Sequence, residues 1–343
     1  MKKNIISKVL IIITFFSLFI AVIILIIFLK KNYSIRIKKL TDNIKIEKIS
    51  SYDNPIVPNG FKKVETNTAS WKVIDNVPSG WNEGLVIEDN TGNQFVWVPV
   101  NLENVKFNEI DLKYNYVYNK DFLDKNDRDD LQIIKYGGFY IARYEAGIPE
   151  RISKNTNYFN ENSNNVEGIP VSKKEQIIWN FIDWKMAKNN AIKMYQNDSV
   201  SSDLITTKQW NYLMHWLSSK GYDVINSIEW GNYSNNNFEF SGYYSIDYGK
   251  TYQYSKNKIK QTYNMLLSTG ATERNKSNNI YDIAGNVSEF VDVQKWIYED
   301  NEEKSYRNFG GYYDNISYYS ASSDMSVSSA NSHQGFRVVL YLK

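Results

Sequence analysis

The sequence predicts an α+β domain, a small antiparallel sheet with two helices and much irregular structure, set behind one N-terminal transmembrane helix. Three stretches lead to it. Residues 84–100, GLVIEDNTGNQFVWVPV, hold two strand-like runs about a DNTGN turn, where Asn90 and Gly92 suit the backbone of a hairpin. At Thr206, a capping-box spacing to Gln209 is followed by Trp210, Leu213, Met214 and Leu217 on one helical face, with Gly221 as a stop. From 222 to 278 the chain is rich in Tyr, Asn, Ser and Lys with few apolar runs. That composition reads as long loops over the sheet, and its aromatics argue against disorder.

Length and composition bound the rest. The chain has 343 residues, 42% of them hydrophobic, enough for one large domain or two small ones. Its formal net charge of +2 supplies no long-range field for a nucleic acid, so none is expected as a partner. Cysteine is absent, which removes disulfides, thiolate metal sites and a cysteine nucleophile.

In chain order, residues 9–29, VLIIITFFSLFIAVIILIIFL, are uncharged over a length that crosses a hydrocarbon core as a helix. The run meets Lys30 and Lys31 directly, with no small-residue cleavage site, so residues 1–31 read as an uncleaved anchor and the membrane as a partner. Lys2, Lys3 and Lys8 precede the span, and Lys30, Lys31, Arg36, Lys38 and Lys39 follow it. The positive-inside rule alone would hold the larger cluster in the cytoplasm, but both flanks are basic, and a cysteine-free domain suits export. The expectation is a single-pass protein of the cell membrane with its C-terminal domain outside. Residues 32–56 read as a polar stalk, and 57–343 as the domain.

Residues 121–130, DFLDKNDRDD, read as a solvated acidic helix start or loop, since they lack EF-hand order. Gly137–Gly147, GGFYIARYEAG, reads as a strand. Ile177, Phe181, Trp184, Ala191 and Met194 approximate helical spacing, so a helix is expected over 173–195. His215, inside the second helix, has no ligand partner at i+3 or i+4 and reads as structural. Trp71, Trp81, Trp97 and Trp230 read as core by default, though aromatics on a loop-rich surface can stack sugars.

Residues 279–291, NIYDIAGNVSEFV, form a compact loop around which the chain is organised. Gly285 permits tight geometry, and Asn286 tolerates left-handed torsions. Asp282 and Glu289 could converge there on a hard cation with backbone carbonyls, or could be solvated acids of a surface turn, which spacing alone favours.

That stretch resembles the YDMxGNVWEW signature of the formylglycine-generating-enzyme-like (sulfatase-modifying factor) family, a variant of the C-type lectin-like fold. Three further segments agree in order: GGFYIARYEAG at 137–147, LITTKQWNYLMHW at 204–216, which is similar to the family's LPTEAEWE helix, and GGYY at 310–313 with GFRVVLYL at 335–342. The core resemblance covers 137–343, and residues 84–100 resemble the leader of Firmicute members. It implies a structural calcium ion, with side-chain oxygens from Asp282 and Glu289 and carbonyls from Gly285 and Val287. Ser288 and Phe290 stand where the family has Trp. The resemblance also places Glu145 as the partner of Arg337, which by itself reads as buried against a core carboxylate or as a ligand contact.

The family's oxidising members hold copper on two cysteines between the GG motif and GFR, and its iron-dependent members use a His-rich triad. Here that interval, YYDNISYYSASSDMSVSSANSHQ, has no cysteine, and the chain has only His215 and His333, so neither copper nor iron is expected. No GxSxG elbow occurs either. Catalysis is therefore not expected, and binding is. From Ser305 to Ser332, Tyr, Ser, Asn and Asp dominate, a composition that joins rigid aromatic contact to adaptable hydrogen bonding. Tyr312, Tyr313, Asn315, Tyr318 and Tyr319 would contact a protein or glycan, although alternating aromatics can also simply line a sheet. An oxidoreductase with a non-cysteine site and a structural envelope component are the competing readings.

Overall fold

A computed structural model describes residues 55–74, 77–78, 80–100, 127–149, 159–234, 236–292, 306–314, 321, 324–327 and 330–343. The expected anchor at 1–31, residues 32–54 of the expected stalk, residues 121–126 of the acidic stretch, and Asn315, Tyr318 and Tyr319 lie outside them. Among the described residues no helix is long and apolar enough to cross a membrane.

The main sheet has six strands in the order Phe61–Val64, Val86–Asp89, Gln94–Pro99, Gly138–Ala142, Val338–Leu342 and Val200–Leu204, every pair antiparallel. The expected hairpin closes with Val86 opposite Val96, and Gly92 takes the left-handed conformation the turn needs. The C-terminal strand is central: Val339 faces Ile141 on one side and Asp203 on the other. Strand alternation then builds two cores. Trp97, Tyr140 and Leu340 pack with Ala187, Ala191 and Met194 of the helix Trp184–Met194. Val96, Val98, Phe139, Ile141 and Val339 pack with Trp210, Leu213, Met214 and Leu217 of the helix Thr207–Ser219. That second helix begins as expected, with the Thr206 side chain accepting from the Gln209 N–H and the Gln209 side chain accepting from the Thr206 N–H. Trp71, Trp97 and Trp230 are buried, and half-buried Trp81 packs on Trp97.

Three expectations need correction. The helix expected over 173–195 begins only at Trp184. Before it the chain is extended: Gly147 bridges to both Val171 and Ile178, the Trp179 N–H donates to the Ala146 carbonyl, and Phe181 adopts φ 53°, so backbone pairing across Gly147 outcompetes helical spacing. The acidic helix start is not solvated. Asp127 caps the helix Arg128–Tyr136, buried Asp129 accepts from the Thr206 and Tyr341 hydroxyls, and Asp130 pairs with Lys208 at 2.9 Å. Arg128 completes the knot, bonded to Asp203 and lying over the Tyr341 ring at 3.7 Å. Lastly, residues 222–278 are not only loops. Glu239–Ser245, Gln253–Lys260 and Leu266–Leu267 form a three-stranded sheet, whose exposed outer strand QYSKNKIK carries too little apolar periodicity to be read in advance.

Residues 50–343 make one compact unit. A four-stranded mixed sheet runs Asp324–Val327, Tyr306–Phe309, Ser288–Phe290, Gln334–Phe336, with the last two parallel. It links the loop at 279–291 to the chain's end.

Candidate functional site

The loop at 279–291 is an interior feature, which corrects the surface-turn alternative: Asp282 is 2% exposed and Glu289 1%. Asp282, Gly285 and Asn286 all adopt left-handed torsions, at φ 59°, 72° and 62°. At Gly285 no other residue fits, because a Cβ would lie 2.1 Å from the Asn232 carbonyl oxygen. Asn286 is fully partnered. Its Nδ2 donates to Glu145 Oε2 at 2.7 Å and to the Leu267 carbonyl, and its Oδ1 accepts from Asn232 Nδ2 and the Leu267 N–H. Glu145 Oε1 accepts from the Val287 N–H at 3.2 Å.

Arg337 is completely buried, and its ion-pair partner is Glu289, not Glu145. Its Nε donates to both Glu289 oxygens at 2.8 and 3.0 Å, and its Nη2 to Oε1 at 2.6 Å. The remaining donors reach the carbonyls of Ala142 and Tyr281. The parallel pairing of Glu289 with Gly335 brings the Glu to the strand end where Arg337 emerges, while the two N–H groups of the 286–287 turn claim Glu145.

The cluster is electrostatically unbalanced. Glu145, Asp282 and Glu289 are buried together and feel one guanidinium, so full ionisation leaves two uncompensated negative charges, three against one. Burial pushes the Glu145 carboxyl well above its usual range, helped by the charges of Asp282 and Glu289. Burial also raises Asp282 to about 6, against the opposing hydrogen bond from the Gly270 N–H at 2.7 Å. The acceptors gathered here are all oxygens, the donor type that hard cations take. Glu289's oxygens already hold Arg337, and Asp282 Oδ2 already accepts from the Gly270 N–H. Among the described residues no three His, Cys, Asp or Glu side chains gather as a metal set.

Two backbone bonds tie this interior to the surface. The Asn286 carbonyl accepts from the Tyr313 N–H at 3.0 Å, and the Ser288 N–H donates to the His333 carbonyl at 2.8 Å. Around His333 the chain gathers aromatics from two segments: Tyr312 at 4.4 Å between ring centroids, Tyr313 stacked at 5.4 Å, and Tyr248 at 6.4 Å. Asp314 Oδ2 lies 3.1 Å from His333 Nε2. Tyr313 is buried, so it anchors the patch rather than facing solvent, whereas Tyr312 is half-buried and Tyr248 is 44% exposed. The structure thus brings Tyr312 and Tyr313 together with three residues the sequence reading missed: Tyr248, Asp314 and His333. Nothing local marks Tyr248, which lies 85 positions before His333. The Asp314–His333 pair spans an interval in which only composition had been legible.

No family model matches this chain, and no curated protein matches it. Among solved structures it is similar to the crystal structure of CarF, with 16% identity, a TM-score of 0.36, and coverage of 60% of this chain and 87% of that one. It is also similar to Treponema denticola variable protein 1, with 12% identity, a TM-score of 0.27, and coverage of 85% of this chain and all of the other.

Proposed function

We propose that the chain is a single-pass, membrane-anchored surface protein whose formylglycine-generating-enzyme-like domain lies outside the cell and binds a ligand, without catalysing a reaction. The observation that carries this reading is the suspension of the Tyr248–Tyr312–His333 patch from the buried loop by the Asn286 and His333 carbonyls. A rigid interior loop holds an aromatic surface in place, and preorganised aromatic contact is how a paratope limits the entropy lost on binding. The buried ionisable groups, by contrast, are held by interior partners: Glu289 by Arg337, Glu145 by Asn286 and the Val287 N–H, and Asp282 by the Gly270 N–H. Calcium is the cofactor of this reading, neutralising the excess charge beside Asp282 and ordering the loop; binding only the folded loop, it stabilises the domain by mass action.

The test screens the purified full chain against a glycan array and a random peptide library displayed on phage. The reading expects a probe whose retention is lost in Tyr312→Ala while the melting temperature holds. It is overturned if no retained probe depends on Tyr312. Protease added to intact cells should cut the domain, and digestion that begins only after lysis would reverse the membrane orientation.

A further inference from the structure

We infer that the exposed strand Gln253–Lys260 and the face it shares with Glu239–Ser245 rest on an anionic lipid bilayer, lysines among the phosphate headgroups and tyrosines at the interface. The inference goes beyond the binding reading above and uses none of the residues on which that reading turns.

Charge points to it first. The chain as a whole is nearly balanced, with 40 basic residues against 38 acidic ones. From Tyr248 to Thr272, however, it carries Lys250, Lys256, Lys258 and Lys260 and no acid. All four lysines are exposed, and among the described residues none of them forms an ion pair. The one acid on the two paired strands is Glu239, in register with Lys260. Between the Phe240–Ile259 and Gly242–Ser255 pairs, Ser241 alone opposes Lys256, Asn257 and Lys258, so a bulge carries two of the lysines outside the regular pairing.

Apolar exposure points the same way. Of nine large hydrophobic side chains exposed among the described residues, five fall between 243 and 263: Tyr243, Ile246, Tyr248, Tyr254 and Tyr263. Tyr248 leans on His333, which leaves four along the basic strand and its two turns. Tyr243 and Tyr254 are cross-strand partners with ring centroids 4.9 Å apart, 37% and 55% exposed. They stand on the face opposite Phe240 and Ile259, which pack into the small sheet's own core.

Lysines and a bulge also guard a sheet edge against pairing with another chain. Guarding explains the charge, but a wholly polar edge would serve it better, and here bulky rings stand among the lysines. A protein partner fits less well, because lysine is depleted from the desolvated core of such interfaces. A nucleic acid strand stacks its bases on successive open rings, whereas Tyr243 and Tyr254 pack against each other at 57°. A bilayer interface takes tyrosine at headgroup depth and lysine with its ammonium among the phosphates, and it needs no groove.

The experiment reconstitutes the full chain into nanodiscs of phosphatidylcholine, or of an equal mixture with phosphatidylglycerol, and follows lysine acetylation by mass spectrometry. Lys72 and Lys185, exposed elsewhere on the domain, serve as the internal reference. The expected result is acetylation of Lys256, Lys258 and Lys260 slowed about tenfold in the anionic discs relative to the neutral ones, and restored by about 1 M salt. In the double variant Tyr243→Ser, Tyr254→Ser that protection should fall at least about twofold while the melting temperature holds. The inference is overturned if the three lysines react equally in both discs, or if the double variant keeps full protection. It is overturned as well if neutral discs or detergent protect them equally, since another protein surface would then cover them. Protection by an oligothymidylate in detergent, with none in anionic discs, would assign the face to nucleic acid instead. Incorporation into neutral discs reports the anchor separately, so either expectation can fail alone.

Discussion

The loop at 279–291 and the patch around His333 are joined by two backbone hydrogen bonds, yet one is buried and the other meets solvent. In the loop Asn286 makes four hydrogen bonds, and Arg337 satisfies two carbonyls and both oxygens of Glu289, while the Ser288 hydroxyl is left without a partner. At the patch Tyr248 is 44% exposed and Tyr312 half-buried. Dense interior partnering marks a structural element, and exposed aromatic surface marks a face turned to solvent.

The largest effect that could break this contrast is Arg337→Ala. Removing one partner of a fully buried pair strands Glu289 without its cation, and the expected loss is about 3–5 kcal/mol, read as a lower urea midpoint. A loss under 1 kcal/mol would mean that Glu289 is neutral or otherwise compensated.

Next is the pH dependence set by the excess charge. A carboxyl raised in the folded state binds its proton more tightly there than in the unfolded chain. Its stabilising effect is therefore complete below the unfolded value and lost as pH climbs. For Asp282, raised from 3.8 to about 6, the window runs between those values and the loss amounts to roughly 3 kcal/mol; Glu145 pushes in the same direction. In chelator, wild type should lose stability relative to Asp282→Asn between pH 4 and 6, and millimolar calcium should flatten that difference. A calcium-independent melting curve at pH 7 would remove the ion from the account.

Asn286→Ala should cost about 2–3 kcal/mol, since it strips Glu145 and Asn232 of buried partners together. Thermal melting of the single variant measures it. The smallest effect is on the other side of the comparison: Tyr248→Gly should leave stability unchanged or raise it by up to about 1 kcal/mol, because glycine carries no penalty at positive φ. A clear destabilisation would show that the exposed ring is a packing residue and erase the distinction between the two regions.

Some of this was legible residue by residue. The hairpin at 84–100, the capping box at Thr206 and Gln209, and the left-handed Gly285 and Asn286 are local signals, and local chemistry settled them. The helix expected from Ile177 failed because pairing to Gly147 and Ala146, about thirty positions earlier, overrode its periodicity. The site divided the same way. Tyr312 and Tyr313 lay in a stretch whose composition pointed to binding, but which of them faces solvent depended on a hydrogen bond to Asn286.

By itself the sequence determined the absence of thiol chemistry, the α+β character, and the residue types at the turn, because each follows from side-chain identity or from spacings within one element. Only the tertiary structure decided that Arg337 answers Glu289, that Glu145 holds the 286–287 turn, and that Tyr248 meets His333. Those choices are made by strand pairing and burial between distant segments. Removing a charge from water forces it toward the nearest partner in space, and sequence distance carries no information about which partner that is.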